Sequence, residues 1–184
     1  MIASLRKSQH GDFDKLLAMY GEFEPKQDCQ GLPPATREQT VQWLQRVENI
    51  SSTQFVIVVG RSIVGHAMLC PSPHPREAEL AVFVLPDFRG VGLGKALTLG
   101  ALNCACRELE LSRIWVSIRG SNSAALRLFE DLGFHPLNEW DPLTWELQME
   151  RLCHCATCKQ DACLIFPALL PSTVQLPSNH KLAV

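Results

Sequence analysis

Long apolar runs, net charge and tyrosine are all scarce in this sequence. No stretch approaches the ~18 apolar residues of a membrane span, and the opening MIASLRKSQHGDFD has no apolar core for a signal peptide. Those two absences point to a cytoplasmic chain with no membrane partner. A formal net charge of -2 supplies no general pull towards a polyanion, so a nucleic-acid partner is set aside. With Tyr20 as the only tyrosine, any step that needs a phenol has one residue to draw on.

Cysteine is plentiful. Eight cysteines without a secretion signal read as free thiols or metal ligands rather than as a disulfide framework. Cys153-His154-Cys155-x-x-Cys158-x4-Cys163 is dense enough to offer tetrahedral zinc its ligands, although the spacing is not that of a paired CxxC site. Cys153, Cys155, Cys158 and Cys163 are therefore metal candidates, against free thiols in a tail. Cys104 reads as a small core residue, while Cys106 lies off that helix face.

A chain of 184 residues, 46% hydrophobic and 20% charged, can bury one substantial core. Ile2 to Lys7 reads as a strand. Asp12 then reads as the N-cap of a helix with Phe13, Leu16, Leu17, Tyr20 and Phe23 on its apolar face, where Tyr20 is a packing residue. After Pro25, Gly31, Pro33 and Pro34, the Thr36/Gln39 pair predicts a capping box ahead of Val41, Trp43, Leu44 and Val47. From Gln54 to Leu85 the runs FVIVVG, SIVGHAML and ELAVFVL predict three consecutive strands, antiparallel to one another.

Leu93, Ala96, Leu97, Gly100, Ala101, Cys104 and Ala105 line one face of a long helix. Arg113 to Ile118 predicts another strand. Ser121 or Asn122 caps a fourth helix that Gly133 ends, and closing strands fit Phe134 to Asn138 and Trp145 to Arg151. The expected organisation is one domain over residues 1–151, followed by a cysteine-rich and then proline-containing tail over residues 152–184.

Between the third run and the long helix lies ELAVFVLPDFRGVGLGKAL. Glycines there let the backbone turn sharply and bring several N–H groups towards one anion, at a helix end whose dipole favours negative charge. A P-loop would need a Gly-Lys-Ser/Thr ending, which is absent. A dinucleotide fold would place such a loop after its first strand, whereas two helices and a run of strands come before this one.

Val84-x-Pro86-x-x-Arg89-Gly90-x-Gly92-x-Gly94 resembles the acyl-CoA signature of the GNAT superfamily. Asn122-x-x-Ala125-x-x-Leu128-Phe129-x-x-x-Gly133-Phe134 resembles its second motif, and the two stand in the expected order. The resemblance implies a mixed α/β fold with a mostly antiparallel sheet splayed at the cofactor site. It also implies acetyl-CoA as the acyl donor. The backbone of Val82, Phe83 and Val84 would meet the pantetheine arm, the amides of Arg89, Gly90, Val91, Gly92, Leu93, Gly94 and Lys95 the pyrophosphate, and Asn122 would help hold the arm.

Direct attack by an amine on a thioester requires the amine neutral. With a pKa of about 10.4, a lysine-like amine costs about 4 to 5 kcal/mol to deprotonate at pH 7. Glu79 opens the strand that ends at the cofactor loop, where many GNAT enzymes carry the base; His66 in the neighbouring strand is the alternative base. The tyrosine that many members use as the acid corresponds to Phe129 here, which leaves water or Ser123 for that role. Glu79-Leu80-Ala81-x-Phe83, taken with Phe129, is also similar to the GNAT domain of bacterial protein-lysine acetyltransferases.

The resemblance thus implies an N-acetyltransferase acting on a primary amine of a small molecule or a protein lysine. A rival from another class is an inactive acyl-CoA-binding regulator that works through a protein partner.

Overall fold

The computed structural model describes residues 2–26, 32–149 and 173–176. Its elements run β1 (Ile2–Lys7), α1 (Phe13–Glu22), α2 (Arg37–Asn49), β2 (Thr53–Val59), β3 (Ser62–Pro71), β4 (Glu77–Val84), α3 (Leu93–Arg107), β5 (Arg113–Ser117), α4 (Ser123–Asp131), β6 (His135–Asn138), β7 (Asp141–Gln148) and β8 (Thr173–Gln175). The strands form one sheet in the order β6-β7-β5-β4-β3-β2-β1-β8. Every pairing is antiparallel except that of β4 with β5. This is the expected mixed α/β fold.

Local chemistry accounts for the helix ends. Thr36 and Gln39 form the expected capping box on α2, with Gln39 N donating to Thr36 Oγ1 at 3.2 Å and Thr36 N donating to Gln39 Oε1 at 3.4 Å. Gly133 adopts φ 88°, and the amide of Phe134 reaches back to the Phe129 carbonyl at 3.0 Å, which closes α4 in the left-handed manner that glycine permits.

Asp12 differs from expectation. It precedes α1, but its side chain does not cap the helix; instead both carboxylate oxygens meet Arg6, at 2.6 and 2.8 Å. That charge-assisted pair holds the buried carboxylate at a pKa of about 2.

Alternation along β3 separates two layers. His66 faces α1 and α2, where Tyr20 is buried among the rings of Phe23, Trp43 and Phe83. Gly65 faces α3, and a Cβ there would stand 3.0 Å from Leu97 Cδ1, so the glycine allows α3 to press close to the sheet. Among the described residues, no helix is long and apolar enough to cross a membrane.

Two boundaries differ from the sequence reading. β7 begins at Asp141 rather than Trp145, because Asn138 Oδ1 accepts from the amides of Trp140 and Asp141, at 2.9 and 2.8 Å, and so starts the return strand early. Arg151 lies outside the described residues. Thr173–Gln175, expected in the tail, pairs with Ile2–Ser4 as an edge strand, and the following Leu176 is buried. The sheet therefore takes in a piece of chain beyond residue 151.

Candidate active site

β4 and β5 are in register only from Glu77/Arg113 to Glu79/Trp115. Beyond that point β5 continues against β7, with Val116 opposite Trp145 and Ser117 opposite Thr144. Leu80–Val84 stay paired with β3 but not with β5, which leaves about 16 Å of β4 edge open. Val82, Phe83 and Val84, the expected pantetheine contacts, lie on that open edge.

At its end the chain makes a 3-10 turn over Pro86–Phe88 and enters α3 through two left-handed glycines, Gly90 at φ 75° and Gly92 at φ 88°. A side chain in that region would be strained, and a Cβ built on either glycine meets nothing within 4 Å. α3 has no side-chain cap. Its first-turn amides at Leu93, Gly94 and Lys95 precede the repeating intrahelical bonds, so they suit an anion set in the space beside the glycines. A diphosphate fits this cradle. Val91 lies within the same turn.

Arg89 departs from expectation, because its amide donates to the Pro86 carbonyl at 3.2 Å and is committed before any phosphate arrives. Its Nε donates to the Val84 carbonyl at 2.9 Å. At the far side of the opening, Asn122 Oδ1 accepts from the Ala125 amide at 3.1 Å, as an N-cap of α4 does. Only its side-chain NH2 is left to face a cofactor arm.

Glu79 sits at the last in-register position before the strands part, opposite Cys70 of β3 and Trp115 of β5. Ser117 lies two residues beyond Trp115, on the same face. Partial burial pushes the Glu79 carboxyl above the usual carboxylate range, while a hydrogen bond from the Ser117 hydroxyl pulls it back. Burial also holds the Cys70 thiol at about 11, so it is neutral at pH 7. The other acids on this face are occupied: Arg113 meets Glu77 at 2.6 Å and Glu146 at 3.2 Å. Glu79 is thus a carboxylate in a partly desolvated place, at the apex of the opening.

His66 is unsuited to the alternative role. It is 0% exposed, with Nδ1 2.7 Å from the Tyr20 hydroxyl and Nε2 3.0 Å from Gln54 Oε1. Burial lowers its pKa to about 3, so taking up a proton would place a charge in the core. Tyr20 is correspondingly spent on packing and on His66.

Phe129 is buried with its ring centroid 5.0 Å from that of Phe134, and it places no hydroxyl on α4. Ser123, on the first turn of that helix, is exposed. Sequence reasoning missed Ser117 and Cys70 as neighbours of Glu79, since only strand register brings the three together.

The candidate zinc ligands Cys153, Cys155, Cys158 and Cys163 lie outside the described residues. Among the described residues no cluster suits a metal ion. Cys70 and Cys104 are free thiols, whereas Cys106 is disulfide-bonded, contrary to the expectation of free thiols or metal ligands.

A model of the acetyltransferase (GNAT) domain matches residues 4–135. The chain is 30% identical over 82 residues to the [ribosomal protein bS18]-alanine N-acetyltransferase of Haemophilus influenzae, covering 45% of this chain and 54% of that protein. It is 39% identical over 69 residues to the mycothiol acetyltransferase of Thermobispora bispora, covering 38% of this chain and 23% of the relative. The match thus spans about half of one relative and about a quarter of the other.

Among solved structures, an N-acetyltransferase from Staphylococcus aureus superposes with a TM-score of 0.63 at 20% identity, over 80% of this chain and 98% of that one. The spermidine/spermine N-acetyltransferase of Vibrio cholerae does so with a TM-score of 0.60 at 17% identity, over 81% and 94%. At those identities the likeness is one of fold. Since the domain model takes in β1 through α4, and with them the open β4 edge and the glycine turn, the chain belongs to the GNAT acetyltransferase family.

Proposed function

We propose that this chain transfers an acetyl or short acyl group from acyl-CoA to a primary amine, on a small molecule or a protein, by direct attack with Glu79 as general base. The observation that carries this reading is the position of Glu79, where β4 and β5 stop pairing and just ahead of the open edge. When bound, acyl-CoA supplies the thioester carbon that the amine attacks. The amides of Leu93, Gly94 and Lys95, with the turn at Gly90–Gly92, would hold the diphosphate; the open edge at Val82–Val84 would orient the arm.

Glu79 removes the amine proton, directly or through one water, and partial burial raises its basicity for that task. Ser117 keeps the carboxylate aimed while leaving an oxygen free to accept. No described side chain of the site supplies a tyrosine acid, so water takes that part, and a thiol of pKa about 8.5 needs only about 2 kcal/mol to leave unprotonated at pH 7.

Phe129 in place of a hydroxyl favours one other reading, an acyl-CoA-binding regulator without turnover. Thiol release from acetyl-CoA separates the two, using spermidine, peptides with a free N-terminal alanine and peptides with lysine as acceptors. An enzyme releases CoA thiol with at least one acceptor class. Tight CoA binding without thiol release across the panel would leave the regulator. Spermidine and the N-terminal alanine follow the names of the relatives, and the chain's location is proposed as cytoplasmic.

A further inference from the structure

Below Glu79 the two parting strands are held together by little backbone. β4 meets β5 only at Glu77/Arg113, Ala78/Ile114 and Glu79/Trp115, whereas its other edge follows β3 without a break from Ala78 to Val84. Parallel pairing is also the weaker kind per residue. On its far side β5 is paired with β7 from Arg113/Gln148 to Ser117/Thr144. β4 therefore leans on β3, β5 leans on β7, and a short join connects the two halves of the sheet.

Arg113 crosses that join. Its Nη2 donates to Glu77 Oε2 of β4 at 2.6 Å and its Nη1 to Glu146 Oε2 of β7 at 3.2 Å. Gln148 Nε2 donates to the other oxygen of Glu146, at 3.2 Å. The arginine stands on the central strand of the three, so one guanidinium spans β4, β5 and β7. Strand alternation puts Glu77, Arg113, Glu146 and Gln148 on the face that carries Glu79. Two residues of strand, about 7 Å, separate Glu77 from Glu79.

As a source of stability this cluster is poor. One cation between two carboxylates leaves a negative charge over, and the buried Nε of Arg113 finds no acceptor among the described residues. Direction is what the cluster does supply. A planar fork fixes the angles at which its partners sit, and both carboxylates it meets belong to other strands.

We infer that Arg113 is a positioning residue for the proposed reaction: by fastening Glu77 of β4 and Glu146 of β7 to β5, it fixes the point at which the sheet opens and hence where Glu79 stands. The inference rests on the acetyltransferase reading and deepens it.

The test compares Arg113→Met, which keeps the stem and removes the fork, and Arg113→Lys with the unaltered full chain. Amide hydrogen exchange over residues 77–79 and 113–115 reads the join. Steady-state kinetics with the best acceptor of the panel reads the reaction, calorimetric titration with CoA reads the donor site, and thermal melting reports folding. In Arg113→Met, exchange across the join is expected to rise about tenfold, with that of residues 53–59 unchanged. Its kcat should fall about tenfold, while acceptor KM and CoA affinity stay within about threefold. An ammonium serves one carboxylate at a time, so Arg113→Lys should recover only part of kcat. Unchanged kcat in a folded Arg113→Met chain would overturn the inference, because a residue that only adds stability leaves the turnover of folded enzyme alone. Unchanged exchange at the join would overturn it as well, as would a loss confined to CoA affinity.

If Arg113→Met does not fold, Glu77→Ala cuts the link to β4 and leaves Arg113 on Glu146. The same fall in kcat with faster exchange at residues 77–79 then supports the inference, and the absence of either change contradicts it. If the unaltered chain releases no thiol with any acceptor, the acetyltransferase reading fails by itself. Exchange across the join then decides whether Arg113 fixes the opening: a tenfold rise in the variant supports that role, and unchanged exchange overturns it.

Discussion

Glu79 keeps its carboxylate between the Cys70 thiol on β3 and the Ser117 hydroxyl on β5, both uncharged at neutral pH. The charged groups nearby on the same face, Glu77, Arg113 and Glu146, are engaged with one another, Arg113 being shared by the two carboxylates. Burial and the Ser117 hydrogen bond therefore govern the proton affinity of Glu79 with opposite signs. With Glu79 as the proposed base, activity needs the deprotonated carboxylate and should rise with pH through that group's pKa. Removing the bond that lowers this pKa shifts the rise upward. Ser117→Ala is expected to move the acidic limb of the kcat/KM profile to higher pH, and Ser117→Thr to restore it. A limb that stays in place would show that Ser117 does not hold Glu79. None of this was legible in the linear sequence. Glu79 stood out by its place ahead of the glycine turn, but Ser117 is far along the chain, and only a parallel register makes it a neighbour.

Helix and strand patterns were clear where local chemistry determines them. The Thr36/Gln39 box, Gly133 and the apolar face of α3 all behave as their residues predict. Misreadings came where a tertiary partner overrides the local signal: Asp12 turns to Arg6 instead of capping α1, and His66 joins Tyr20 of α1 to Gln54 of β2. That last chain of polar contacts ties α1 to two strands, and it carries a pH dependence. The folded His66 pKa, about 3, lies below its usual 6.5, so between those values the unfolded chain binds the extra proton. Stability from this group is present above 6.5 and is lost as pH falls towards 3, whereas Asp12, at about 2 against 3.8, contributes a loss only in stronger acid. Melting temperature is therefore expected to fall between about pH 7 and pH 5, and His66→Gln, although less stable, should flatten that slope. An equal slope in the variant would assign the dependence elsewhere.

Across the whole molecule, the proposed donor site is built from long-range order that short motifs mark well. The glycine turn and the α4 motif reported a splayed sheet because that architecture needs left-handed glycines and a capped helix at those points. The far edge carried no such mark. β8 is three residues long and lies within a proline-punctuated segment, so nothing in its pattern announced a strand pairing with β1. Removing residues 173–184 deletes that strand and buried Leu176, and leaves the β1 edge bare. A loss of about 2 kcal/mol is expected, seen as a melting temperature several degrees lower, together with concentration-dependent association in sedimentation. Unchanged melting and a monomeric variant would mean that β8 adds nothing to the sheet.

Glu79, at the point where β4 and β5 part, is proposed as the base of an acetyl-CoA-dependent transfer. Its most direct test measures turnover and CoA affinity together for Glu79→Gln across neutral pH. Turnover is expected to fall about a hundredfold or more, with the CoA dissociation constant within about twofold of that of the unaltered chain. Undiminished turnover with the same pH profile would contradict it.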